Sequence, residues 1–299
     1  MHATMTLWII FAVAGLTVLN RVTGSPAETI TPDDANTSAH PNRVLETVEG
    51  EENIWKPTVV VVVEEAEEEV METGELNPSH YPAQRAAKVV QHYINTRHGS
   101  PYKVFGLQRV FRANAEDVAN SGRKYQLELS VQEMVHNMTV ACAAEVLFPG
   151  GEATEHSPQV QVSSCDGLLK INASAQEEAL YQKYKMNQSL STENLPDSNG
   201  HMEPDHEPFW HLGMVASSFV MLSESTQSTL YNMAQVENAT QQATENDQLK
   251  IDYHVLLHDI VSQEIIPWRL VVTWSPLEGV KVQKMEKSPN CRHCNKPKP

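Results

Sequence analysis

Between Leu249 and Trp274 apolar and polar residues alternate in two runs separated by a short polar turn. Leu249, Ile251, Tyr253, Val255 and Leu257 fall on one face, Lys250, Asp252, His254, Leu256 and His258 on the other, and Trp268, Leu270, Val272 and Trp274 resume the period. A period of two is that of a strand, whose successive side chains point to opposite faces, so the pattern predicts a long β-hairpin. Its tip, residues 260 to 266, sets Ser262, Gln263 and Glu264 between the apolar shoulders Ile260, Val261, Ile265 and Ile266, with Pro267 stiffening the exit. A polar point of this shape suits a concave partner.

The same grammar continues upstream. Pro82 can occupy a first helical turn, Ala83, Ala86, Ala87, Val90, Tyr93 and Ile94 follow at helical spacing, and Gly99 ends the helix. Four strand-like runs come next, near 102–113, 123–135, 139–148 and 158–165, punctuated by Asn, Gly and Pro. Residues 174–188 read as a polar connecting helix with Leu180, Tyr184 and Met186 as its apolar contacts. The plan then repeats: an apolar helix over Phe209 to Leu222, preceded by Pro204 and Pro208, and strands near 228–242, 248–260, 265–275 and 279–285. Matching KYQLELSVQEM with LKIDYHVLLHD predicts a distant internal duplication, hence an α+β fold in which each half lays one helix on one antiparallel sheet. Each half has roughly a hundred residues, enough for its own core, and the two are expected to form one rigid unit.

Residues Leu7 to Leu19 form an apolar run too short to span a bilayer and followed by small residues, which reads as a signal-peptide core with the mature chain starting near Ser25. The net charge of −16 is concentrated in residues 25 to 79, where fourteen acidic residues face Arg43 and Lys56 alone. That composition predicts a disordered acidic arm, dispensable for folding. Its run Thr58 to Val63 has high β-propensity and is bounded by glutamates; these act either as gatekeepers against aggregation or as the flanks of a strand that adds to a sheet edge. The remainder is mildly acidic without a dense basic patch, which excludes nucleic acid as a partner.

Catalytic patterns fail on spacing. In HMEPDHEPFWH, His206 and His211 are five apart, ~500° around a helix instead of the four-residue step of HExxH, with Pro208 between them. His201, Glu203 and Asp205 are expected to cap the second helix, and His211 to sit in or near the core. No GxSxG, phosphate loop or Cys/His nucleophile pair occurs, and Ser163 and Ser164 have no histidine beside them in sequence. The chain is therefore read as a non-enzyme without cofactor or resident metal.

In an oxidising compartment four cysteines are meaningful. Cys142 and Cys165 flank a stretch that reads as two strands and a loop, so they can face each other across neighbouring strands and close a disulfide. Cys291 and Cys294 form a CRHC tail without the other ligands of a zinc site. Five sequons, at Asn36, Asn137, Asn172, Asn187 and Asn238, are candidate glycosylation sites.

Several segments carry a family resemblance: DYHVLLHDI followed by SQEIIPW at 262–268, YPAQRAAKVVQHYIN at 81–95, GSPYKVFGLQRV at 99–110, KYQLELSVQEMV at 124–135, CAAEVLFP at 142–149 and LPDSNGH at 195–201. Together they resemble the latexin family, over about residues 79 to 285. The resemblance implies two tandem cystatin-like halves joined by a connecting helix, and inhibition of zinc metallocarboxypeptidases of the A/B type. It implies that the hairpin of the second half enters the protease funnel and that Gln263 approaches the catalytic zinc; Ser262, Gln263, Glu264, Ile265 and His258 are the expected contact residues, with Ile265 and Ile266 sealing the funnel. The resemblance implies a cysteine pair equivalent to Cys142 and Cys165 in a secreted relative, the second cysteine being absent from the cytosolic type, and that departure fits export. The cystatin motif Gln-x-Val-x-Gly against cysteine proteases is absent: Gln108-Arg-Val110-Phe-Arg112 lacks the glycine.

The expected divisions are a signal segment (1–24), the acidic arm (25–79), the halves (80–168 and 201–286), the connecting helix and linker (169–200) and a tail (287–299). The expected function is a secreted inhibitor plugging a metallocarboxypeptidase, with no membrane association after signal cleavage. The alternative is a non-inhibitory extracellular matrix or mineral-associated protein, whose acidic arm meets Ca²⁺ through many weak oxygen contacts.

Overall fold

The computed structural model describes residues 73–150, 157–165, 167–186 and 190–289. The signal segment, the valine run, Asn36, Asn187, Cys291 and Cys294 lie outside them. In chain order the elements are β1 (Gly74–Leu76), α1 (Tyr81–His98), β2 (Phe105–Val118), β3 (Gly122–Glu133), β4 (Met138–Pro149), β5 (Gln159–Ser164), α2 (Ser174–Met186), β6 (Ser191–Leu195), α3 (Glu207–Glu224), β7 (Tyr231–Glu245), β8 (Gln248–Asp259), β9 (Glu264–Ser275) and β10 (Gly279–Lys287). Two five-stranded antiparallel sheets result, ordered β1-β2-β3-β4-β5 and β10-β9-β8-β7-β6. A helix leading into an antiparallel meander, twice over, is the cystatin-like α+β plan.

The duplication is metrically strict. A shift of 126 positions carries α1 onto α3 at both ends, β3 onto β8 and β4 onto β9, with no insertion or deletion. Even irregularities repeat: the register slips of β2 at Leu107/Arg109 and Val110/Arg112 recur in β7 at Met233/Gln235 and Val236/Asn238. The buried face of β3, Tyr125, Leu127, Leu129 and Val131, maps onto Ile251, Tyr253, Val255 and Leu257 of β8. One alternation thus builds two separate cores, one under α1 and one under α3.

The helices also pack on each other. Gly99, just past α1, has an ordinary φ of −71°, so its role is not a left-handed turn. A Cβ there would fall 2.4 Å from the Asn95 carbonyl oxygen and 2.6 Å from a Val215 methyl of α3. Glycine is needed for close approach of the two helices.

Several sequence expectations shift. Gly74–Leu76, assigned to the arm, is a strand pairing Ala113–Ala115 of β2, and Leu76 is buried in the first core. Ser191–Leu195, assigned to the linker, is the edge strand beside β7. The connecting helix contributes Leu180, Tyr181 and Tyr184 to the second core, with Tyr184 edge-on to Phe209 at 4.6 Å, whereas Met186 is exposed. His201, Glu203 and Asp205 do not cap α3: its N-cap position is His206, with no side-chain cap bond, and Asp205 pairs instead with Lys183 of α2 at 2.9 Å. Cys142 and Cys165 form a disulfide, with Cα atoms 4.5 Å apart, tying β4 to the chain just past β5.

Candidate functional site

β8 and β9 pair in continuous register from Leu249↔Trp274 to Asp259↔Glu264, leaving a four-residue turn, Ile260 to Gln263. The last turn residue, Gln263, takes the left-handed conformation with φ 61°, where a non-glycine residue persists only if its surroundings fix it.

Asp259 supplies that fixation. Its buried carboxylate accepts hydrogen bonds from the Ser262 hydroxyl (2.8 Å) and from the backbone N–H groups of Leu230 (2.9 Å), Val261 (3.2 Å) and Ser262 (3.4 Å). Burial alone would push this carboxyl upward. The bonds from Leu230, Ser262 and Val261 outweigh it and hold the group below the usual carboxylate range. Ile260 N–H completes the brace by donating to the Leu230 carbonyl at 2.9 Å. The tip is thus a rigid loop pinned to the strand entering from α3. Sequence reading missed Asp259; its signal was a strand-end Asp followed by Ser three residues on, the pattern by which a short carboxylate folds back onto a turn.

The side-chain amide of Gln263 donates to the Ile260 carbonyl. Its carboxamide oxygen accepts no hydrogen bond among the described residues, so the acceptor end of this held side chain faces solvent. Val261, Ser262, Gln263, Glu264 and Ile265 are all exposed. Ile266 is buried: it pairs with Leu257 and faces the core, so it cannot seal a funnel as expected. The exposed apolar shoulders are Val261 and Ile265. His258 is half-buried opposite Ile265, one register pair inside the turn, and flanks the tip without belonging to it.

Ser262, Gln263, Glu264 and Ile265 therefore come together on one point, with His258 beside it. No group of His, Cys, Asp and Glu fit to hold a metal occurs among the described residues, and no helix there is long and apolar enough to cross a membrane.

Residues 76–292 match the family model for latexin. The chain is 37% identical to latexin of Homo sapiens over 72% of its own length and 97% of that protein's. It is 32% identical to retinoic acid receptor responder protein 1 of Homo sapiens, over 67% of this chain and 70% of the relative, and 29% identical to ovocalyxin-32 of Gallus gallus, over 70% and 75%. A solved structure, mouse fetuin-B, is similar at 12% identity over 72% of this chain and 70% of that one, with a TM-score of 0.22. With the match spanning both halves and nearly the full length of human latexin, the chain belongs to the latexin family.

Proposed function

We propose that this is a secreted protein inhibitor of zinc metallocarboxypeptidases of the A/B type, which plugs the active-site funnel with the tip between Asp259 and Ile265. The observation that carries the reading is the state of Gln263: an exposed carboxamide, fixed in a strained turn, with its N–H committed to the turn and its oxygen unused. A zinc hydrolase keeps one coordination position open for water and for the carbonyl it polarises. A side-chain amide oxygen presented to that position has the donor chemistry of a scissile carbonyl, yet belongs to no bond that the enzyme can align for attack. The order in the tip exists before binding, so less entropy is lost on entry than for a floppy peptide. Val261 and Ile265 provide apolar surface for the funnel wall.

Secretion is supported by the Cys142–Cys165 disulfide, which persists in oxidising compartments. The test is kinetic: secreted full-length protein is titrated against a panel of A- and B-type carboxypeptidases. Reversible inhibition of at least one, competitive with peptide substrate, is expected. Inhibition of none would sink the proposal and leave the acidic-arm reading in its place.

A further inference from the structure

The 126-residue shift that aligns the run from α1 to β4 with the run from α3 to β9 also carries one hairpin tip onto the other. Met134, Val135, His136 and Asn137 occupy the positions of Ile260, Val261, Ser262 and Gln263: apolar, valine, polar, carboxamide. The brace is duplicated as well. Glu133, fully buried at the end of β3, accepts hydrogen bonds from the N–H groups of Val104 (3.4 Å), Val135 (3.0 Å) and His136 (2.7 Å), each 126 positions before the Leu230, Val261 and Ser262 groups that Asp259 holds. Asn137 has φ 55° where Gln263 has 61°. The first half thus carries a structural twin of the candidate inhibitory tip.

The twins differ in one chemical respect. Asn137-Met138-Thr139 is a glycosylation sequon, whereas Gln263-Glu264-Ile265 is none. Asn137 is exposed at the apex, its carboxamide oxygen accepts from the Gln132 amide, and its nitrogen donates to nothing among the described residues. Asn238, by contrast, is half-buried in β7 with Glu193 paired on one side and His254 on the other, and its oxygen is held by the Thr240 hydroxyl. On either side of Asn137, Met134 in the turn and Met138 at the start of β4 are 46% and 39% exposed, large apolar side chains left facing solvent.

We infer that Asn137 carries an N-linked glycan that covers Met134 and Met138 and takes this second tip out of use, leaving the tip at 260–263 as the one free to engage a partner. The donor is a lipid-pyrophosphate-linked oligosaccharide of the secretory pathway. The Asn137 nitrogen forms a bond to C1 of the first sugar and loses a proton, while the C1–O bond to pyrophosphate breaks and the lipid pyrophosphate leaves with the electron pair. The occupancy of Asn137 rests on the secretion reading, and the choice of 260–263 as the working tip rests on the proposed inhibitory role.

The test uses full-length protein recovered from the medium of cells that perform N-glycosylation. Enzymatic deglycosylation in heavy-oxygen water marks each occupied asparagine as a labelled aspartate in peptide maps, and Asn137 is expected to be marked. The parent and the Thr139→Ala and Thr139→Ser variants are then exposed to dilute peroxide. Sulfoxide formation at Met134 and Met138 should be severalfold faster in Thr139→Ala, with Thr139→Ser behaving as the parent and Met285, 43% exposed on β10, unchanged in all three. An unmodified Asn137 in protein glycosylated elsewhere, or equal oxidation in Thr139→Ala and parent, overturns the inference alone. Protein retained in cells and free of sugar overturns the secretion reading with it.

Discussion

Arg85 and His211 stand at the same point of the two halves, and each reaches into the other. Arg85 of α1 donates to the carbonyl of Gln227, in the loop after α3, at 2.7 Å; His211 of α3 lies 3.1 Å, through Nδ1, from the carbonyl of Pro101, in the loop after α1. The reciprocity is that of a two-fold interface between duplicated units, in which each patch meets its own copy. Burial pushes the His211 imidazole below its usual range, with the Pro101 carbonyl only partly opposing this.

Because the halves share this brace and the α1·α3 contact, they are expected to unfold together. Calorimetry should show one transition with matching calorimetric and van't Hoff enthalpies. His211→Ala, which leaves the buried Pro101 carbonyl unpaired, should cost about 1–3 kcal/mol. Two resolved transitions in the parent protein would contradict the interlocked arrangement.

His92 breaks the symmetry, standing where α3 has Ser218. It is completely buried, and among the described residues neither ring nitrogen makes a hydrogen bond of good geometry, the Tyr231 backbone being its nearest polar contact. Burial, reinforced by the charge of Lys88 one turn away, lowers its pKa to about 3, and the nearby Tyr231 backbone offsets this only in part. The folded protein thus keeps His92 neutral at pH values where the unfolded chain binds a proton. Its stability is undiminished above the unfolded pKa, near 6.5, and is lost progressively as pH falls from there toward 3. Stability followed by denaturant unfolding from pH 7 to pH 4 should fall on this limb, and His92→Phe, of comparable bulk and uncharged, should flatten it. An unchanged pH profile in His92→Phe would assign the acid sensitivity to other groups.

The start of the folded region can be located by truncation. A chain beginning at Thr73 keeps β1, whereas one beginning at Asn77 loses its pairing with Ala113–Ala115 and the buried Leu76. Burying one leucine is worth about 1.5–3 kcal/mol, so the shorter chain is expected to melt several degrees below the longer one. Equal melting temperatures would make β1 ornamental.

What is legible in a strand's sequence depends on how much of it is buried. The long strands β3, β4, β8 and β9 announced themselves because one face is buried, which imposes a period of two over a dozen residues. β1 (Gly-Glu-Leu) and β6 (Ser-Thr-Glu-Asn-Leu) carry no such period: they are short edges whose order comes from the ladder offered by β2 and β7, not from their own composition. The inward place of Ile266 is legible in its parity, since stepping back by two from Trp268 puts it on the core-facing side. The tip residues were found because turns are polar, but Asp259 and Glu133, which fix the two tips, were hidden as ordinary strand-end acids. A buried carboxylate is recognised by its partners; those within the turn are local, Val261 with Ser262 and Val135 with His136, but the one that ties each tip to the rest of the sheet lies far upstream, at Leu230 and Val104.

The tip itself supports a graded test. Gln263→Ala should leave the fold intact, since an exposed turn residue contributes little to a core. It should weaken inhibition by the value of one polar contact at an interface centre, on the order of 1–3 kcal/mol or ~5 to 150-fold. Asp259→Asn acts differently: Gln263 and its neighbours remain, but a neutral amide cannot accept from Leu230, Val261 and Ser262 as the carboxylate does. The turn loosens, so inhibition should weaken and amide exchange at 260–263 should quicken while the melting temperature falls modestly. The sign of the pH effect follows from the depressed pKa of Asp259: its contribution is fully present above the unfolded carboxylate pKa, near 4, and is lost only as pH falls through the lower folded value. Inhibition by the parent should therefore hold across neutral and mildly acidic pH as far as this group is concerned, and Asp259→Asn should be weaker throughout. A triple glycine replacement of Ser262, Gln263 and Glu264 should abolish inhibition, whereas Trp268→Ala, packed against the second core, should damage hairpin and fold together. A folded triple-glycine variant that inhibits as tightly as the parent would place the binding surface elsewhere on the molecule.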